Sequence, residues 1–263
     1  TIGAVLGPLL GVALLGWAQG LNGADLSLPF RFVLWLSVIP GVLAVLAFFL
    51  LVQDPEQSPN PALKFFHSLR TLPARFKRYL VAVGLFGCGD FSHSLLILAA
   101  THLLTDSLGV VRAAQVAGLL YVLRNIVQVA ASFPVGLLAD RCGHLKTLVA
   151  GYVLGTLTAV LVVLAFVFQV HTVPMFAGIF LVAGLYMAVQ EALESTVTAE
   201  MVAADTLATG IGALGTVNGT ARFVSSTAVG LLWTGVSPLA GFGGAAALMA
   251  AGTAALLAVD KRG

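Results

Sequence analysis

Five ionisable residues, Asp90, Arg124, Glu191, Glu194 and Arg222, stand inside long apolar runs of this sequence. A charge at the centre of a membrane helix costs ~2.5 to 3.5 kcal/mol on insertion scales, so five unpaired charges there would oppose insertion by on the order of 10 to 17 kcal/mol. Such groups pair with one another, face water or take up a proton. At ~1.5 Å per residue, Asp90 and Arg124 lie about 18 to 22 Å from the cytoplasmic ends of their runs, with Arg222 level with them and Glu191 and Asn218 nearer 15 Å. Asp90 with Arg124 is the expected first pair, because consecutive helices joined by a short loop pack side by side. That pair is either a fixed structural link or a substrate or proton site.

Glu191 and Glu194 are three residues apart and share a helix face, so both cannot readily be ionised in a low-dielectric site. A carboxyl whose proton affinity depends on the side it faces is what proton coupling requires. Asp90, Glu191 and His93 are therefore the candidates for proton coupling. Arg124, Arg222, Asn125, Gln128, Asn218 and Tyr121 are the candidates for substrate contact or charge pairing, since Tyr121, Arg124, Asn125 and Gln128 share one helical side and Asn218 and Arg222 another. Glu194 and Glu200 fall nearer the cytoplasmic surface, where snorkelling or a helix-end contact is expected. Trp17, Trp35 and Trp233 are read as interface anchors and packing.

The chain carries no H-E-x-x-H, G-x-S-x-G or Walker pattern, so no catalytic residue is assigned and it is not read as an enzyme. Cys88 and Cys142 make no framework and no metal site is indicated. No basic run could follow a nucleic-acid backbone, and nucleic acid is excluded as a partner.

These residues must be positioned by membrane helices. Of 263 residues 59% are hydrophobic and only 9% charged, the mean hydropathy is +1.02, and soluble domains hold roughly 25% charged residues. Eight stretches can cross a ~30 Å hydrocarbon core: Ile2 to Gln19, Arg31 to Val52, Arg78 to Leu103, Ala113 to Leu138, Thr147 to Phe168, Val173 to Met201, Leu207 to Trp233 and Pro238 to Val259. An open sheet has unsatisfied edges in lipid, so the fold is an all-α polytopic transmembrane helical bundle.

Lys64, Arg70, Arg75, Lys77, Arg78, Arg141, Lys146, Lys261 and Arg262 fall in one set of connections, and only Arg31 and Arg112 in the other. The positive-inside rule places the first set, and the C-terminus, in the cytoplasm. The long polar connection 53–77 divides 1–52 from 78–263. Its Leu63, Phe66, Leu69 and Leu72 beside basic residues suit an amphipathic segment on the inner leaflet or a solvated linker.

Gly136 to Lys146 forms a short polar hinge between two bilayer-length runs, with Asp140 and Arg141 charged, Gly143 suited to a left-handed turn and Lys146 before the next helix. Its G-x-x-x-D-R-x-G pattern resembles the loop signature of the major facilitator superfamily of secondary transporters. Gly3, Gly7, Pro8 and Gly11 follow G-x-x-x-G-P-x-x-G, which resembles the fifth-helix motif of antiporter branches; physically it is a flat face for close helix contact with a proline bend. Asp90 with Phe91 and Ser92, Tyr121 to Asn125, Tyr186 to Glu191 and Gly230 to Trp233 extend the likeness to bacterial permeases of that superfamily. Departures are Leu207 to Thr209, where Arg-Gly-Thr is usual, His144 and Leu145, where basic residues are usual, and Val12, where a glycine is usual.

The resemblance implies that the eight spans match the fifth to twelfth of twelve helices: residues 1–52 end an N-terminal lobe, 53–77 join the lobes and 78–263 form the C-terminal six-helix lobe. It also implies that the spans holding Asp90, Arg124, Glu191 and Arg222 line a central cavity. The chain starts at Thr1 inside an apolar run and is expected to be a fragment whose partners are the lipid bilayer, a small-molecule substrate and N-terminal helices of the same protein. The expected function is secondary active transport by alternating access, proton-coupled export across the cell or inner membrane, with a proton gradient in place of any cofactor. The alternatives are an importer of an organic anion and a non-transporting scaffold or receptor on the same fold.

Overall fold

The computed structural model describes residues 2–21, 28–51 and 72–260, in two units, Thr1–Leu63 and Lys64–Gly263. In the first, α1 (Ile2–Leu21) and α2 (Leu28–Leu51) pack on each other, with the rings of Trp17 and Phe32 6.3 Å apart. Pro8 and Pro40 lie inside these helices. Gly7 and Gly11 line a groove facing Val33, Leu36 and Pro40 of α2, and a Cβ added at Gly3, Gly7 or Gly11 would meet nothing within 4 Å. Phe48, Phe49 and Leu50 of α2 are exposed, as suits a helix apolar on all sides in lipid. The expected inner-leaflet segment lies outside the described residues apart from Leu72, which is buried, and the start of the next helix.

The second unit comprises α3 (Ala74–Gly87), α4 (His93–Leu108), α5 (Val110–Cys142), α6 (His144–Val167), α7 (Val173–Met201), α8 (Leu207–Gly235) and α9 (Pro238–Asp260), with a 3₁₀ turn at Ala204–Thr206. No strand occurs among the described residues. Among the described residues of both units five helices are long and apolar enough to cross a membrane: Arg31–Leu51 of α2, then α5, α6, α7 and α9. Helix α7 packs against α5, α6 and α8, while α9 packs against α3, α6 and α8. A continuous core of buried Phe, Tyr, Leu and Ala runs between them, with Phe86 of α3 stacked on Tyr152 of α6 at 3.8 Å. Trp233 sits in a cluster with His102, Phe166 and Phe242, its ring edge-on to the last two at 5.7 and 5.6 Å.

The stretch expected as one span from Arg78 to Leu103 is broken. Helix α3 stops at Gly87 and α4 starts at His93, so the pieces have 14 and 16 residues. At ~1.5 Å per residue each is too short to cross ~30 Å of hydrocarbon alone. Two glycines cause the break and Ser92 sets the restart: its Oγ accepts from the Ser94 N–H at 3.3 Å, and its own N–H donates to Ser226 Oγ of α8 at 3.0 Å. Irregular backbone is tolerated at membrane depth when protein covers it. Here α9 covers it so closely that a Cβ on Gly89 would meet the Ala245 carbonyl and Met249, and one on Gly252 would meet the Phe86 backbone.

Helix α5 also runs a turn further than expected, through Asp140 and Arg141 to Cys142. Gly143 then turns the chain with φ 97°, donating its N–H to the Ala139 carbonyl at 2.8 Å, and α6 starts at the next residue. Most of the signature read as a loop is thus the end of a helix.

Candidate functional site: a buried polar chain across the second unit

Asp90 lies in the break between α3 and α4, and its carboxylate accepts from Arg222 Nε of α8 at 2.9 Å. This overturns the expected pair with Arg124. Adjacency in sequence suggested α5 as the source of the cation, but α3 packs on α8 and α9, and the break points Asp90 toward α8. Arg222 also donates from NH2 to Gln190 Oε1 of α7 at 2.9 Å, and Gln190 donates from Nε2 to Glu194 Oε1 at 2.9 Å. Tyr152 of α6 donates its hydroxyl to the same Glu194 oxygen at 2.7 Å, and Asn218 of α8 donates from Nδ2 to the other at 2.6 Å. The Glu194 carbonyl receives the hydroxyls of Tyr79 at 3.1 Å and Thr198 at 2.9 Å.

Glu194, expected to snorkel at the cytoplasmic surface, is instead only 6% exposed. Its carboxylate is held by a phenol and two amides, and no cation lies within 4 Å of it among the described residues. Depth along the helix misplaced it: what buries it is the side of α7 that meets α6 and α8. Glu191, one turn away, is exposed, and its Oε2 accepts from Gln128 Nε2 of α5. The two carboxyls expected on a shared face thus divide between the interior of the unit and its surface.

A second limb centres on Arg124, which is 3% exposed. It donates from NH1 to Asn125 Oδ1 at 2.7 Å and from NH2 to His93 Nε2 at 3.1 Å, and its guanidinium lies 5.6 Å from the Tyr121 ring centre. Its Nε has no hydrogen-bond partner. Asp90, His93, Arg124 and Tyr186 border a cavity of about 30 Å³. A larger one of about 430 Å³ shares Asp90, Phe91 and His93 with it and adds Ser92, Arg222 and Phe223. Of the candidate coupling and pairing residues named from the sequence, Asp90, Arg222 and Asn218 fall on the first limb and His93, Arg124, Asn125 and Tyr121 on the second, while Glu191 and Gln128 form a separate pair. Gln190, Tyr152 and Tyr79 were missed, and Glu194 was named but placed at the surface; the four-residue spacing of Gln190 and Glu194, one turn of a helix, was the available signal.

Beside the turn between α5 and α6 His144 stands between two acids, with Nδ1 2.6 Å from Glu200 Oε1 of α7 and Nε2 3.2 Å from Asp140 Oδ1. It ties the end of α5 to the end of α7, a contact expected of Glu200. Arg141 and Lys146 are exposed.

The sequence model of the Major Facilitator Superfamily matches residues 80–263, which is more than half of the chain. The chain belongs to the Major Facilitator Superfamily. An uncharacterized MFS-type transporter of Methanocaldococcus jannaschii is 25% identical over 241 residues, which is 90% of this chain and 56% of that protein. The chain thus spans little more than half the length of the relative it matches. Membership of the Major Facilitator Superfamily, a family of membrane transporters and not of enzymes, agrees with a multi-pass helical protein whose polar groups are gathered at the helix interfaces.

Proposed function

We propose that the protein is a proton-coupled secondary transporter of a small molecule, that its second unit is the C-terminal lobe with α3 and α4 together as the first span, and that the C-terminus faces the cytoplasm. The observation that carries the proposal is Glu194: a carboxylate buried among helices and met only by neutral donors. A charge so placed is uncompensated, and taking up a proton removes it. Gln190 links that event to the Asp90–Arg222 pair, because one end of its amide donates to Glu194 and the other accepts from Arg222. Protonating Glu194 weakens the first bond, frees Gln190 to turn, and loosens α7 from α8 beside the break at Asp90. Changes of this kind at a midplane site drive alternating access.

Export by exchange is the direction favoured by the α1 pattern of Gly3, Gly7, Pro8 and Gly11. Import of an organic anion is the second reading, favoured by Arg124, a buried cation without a carboxylate within 4 Å among the described residues. The test is the full-length protein in vesicles loaded with a pH-reporting dye and challenged with pooled metabolites. Compound-dependent proton movement is expected, and Glu194→Gln should abolish it while leaving compound exchange without a gradient. Undiminished proton movement in Glu194→Gln would sink the proposal.

A further inference from the structure

Arg124 carries a second consequence, which rests on the transport reading but not on its direction. A guanidinium only donates hydrogen bonds, so the His93 Nε2 that faces Arg124 NH2 at 3.1 Å is accepting, and the imidazole is neutral with its proton on Nδ1. Both recorded partners of the guanidinium, His93 and Asn125, are therefore neutral, and Nε is left bare and buried. Arg222, by contrast, has its charge matched by Asp90. Arg124 borders the 30 Å³ cavity, which has room for a group the size of a water molecule, and beside it begins α4, a half-helix whose first N–H groups carry positive partial charge.

We propose that Arg124 is the anchor for the carboxylate of a small monocarboxylate, and that His93 Nε2 holds its place on the guanidinium while the site is empty. The planar fork of an arginine matches a carboxylate better than a single point charge does. A guanidinium with no carboxylate within 4 Å among the described residues, and with Asp90 already in the cavity wall, suits a single negative charge; a phosphate dianion would leave a net charge buried. The 430 Å³ cavity beside it, with Phe91 and Phe223 in its wall, takes the apolar body of the acid. On binding, the carboxylate displaces the imidazole from NH2, exchanging a neutral acceptor for an ionised one.

The test uses the purified full-length protein in detergent with hexanoate and benzoate, each beside its amide, read as shifts of the thermal unfolding midpoint over a titration. Both acids should stabilise the protein at concentrations at least tenfold below their amides, and Arg124→Gln should erase that preference. His93→Ala should bind the acids about tenfold more tightly, the size of one hydrogen bond to a charged group. Equal effects of acid and amide would overturn the proposal, as would His93→Ala losing acid binding as Arg124→Gln does, because His93 would then be a ligand and not a placeholder. If Arg124→Gln does not fold, the acid and amide comparison on the natural protein decides alone, and Arg124→Lys, which keeps the charge and loses the fork, should retain a reduced preference. No gradient enters this assay. Acid binding without proton-linked flux would sink the transport reading and leave the anchor, and flux with no acid preference would do the reverse.

Discussion

Arg222→Gln and Asp90→Asn each break the same ion pair, yet they should not cost the same. The two carboxylate oxygens and the guanidinium are unequally placed: the Asp90 side chain is 7% exposed and that of Arg222 41%. Removing the cation leaves a carboxylate enclosed by helices, and breaking a buried pair from one side typically costs about 3 to 5 kcal/mol. The low end, about 3 kcal/mol, is expected, since the new amide can still donate one hydrogen bond. Removing the anion leaves a partly exposed guanidinium that keeps its bond to Gln190, so the loss should approach the value of an exposed pair, about 1 kcal/mol. The double variant buries no unpaired charge and should fall between the two single variants. The assay is denaturant or thermal unfolding of the full-length protein in one detergent, comparing midpoints across the four forms. Asp90→Asn proving as costly as Arg222→Gln, or the double variant losing the sum of the single ones, would refute the reasoning.

Two further outcomes concern packing. Gly252→Ala should destabilise by about 1 to 3 kcal/mol, because its Cβ would meet the Phe86 backbone, whereas Gly243→Ala in the same helix meets nothing and should change stability by less than about 1 kcal/mol. Unfolding midpoints of the two variants check this directly. His144→Ala should cost less than about 1 kcal/mol, because its partners Asp140 and Glu200 are largely exposed; an unfolding loss above about 2 kcal/mol would show that the contact carries more than a surface pair.

The membrane class and several members of the buried polar chain were legible in the sequence because charge inside an apolar run is costly wherever it falls, and Asp90, Arg124 and Arg222 are conspicuous on that ground alone. Their partners were not. Pairing depends on how each helix is rotated about its axis, and the reach of Arg222 to Asp90 follows from α3 packing on α8 and α9, which no local pattern encodes. Glu194 was misjudged for the same reason, since depth along α7 is readable from residue number but the side of α7 that meets α6 is not. The break at Gly87 was hidden by its neighbours: the apolar residues on both sides fill a span-length window, and two glycines within it alter the average little. The end of α5 erred oppositely, because charged Asp140 and Arg141 look like loop yet continue the helix at a membrane surface.

The Asp90–Arg222 bond also sets a problem in time. The partners lie 132 residues apart in the chain, and at ribosomal rates of about 5 to 20 residues per second the carboxylate is made roughly 7 to 26 s before its cation. During synthesis the broken span therefore reaches the bilayer with a carboxyl whose cation is not yet made, on two half-helices each too short to insert alone. The growing chain must hold α3 and α4 near water or the insertion machinery until α8 emerges, with α9, which covers the break, docking after it, and truncations that stop before Arg222 strand the span.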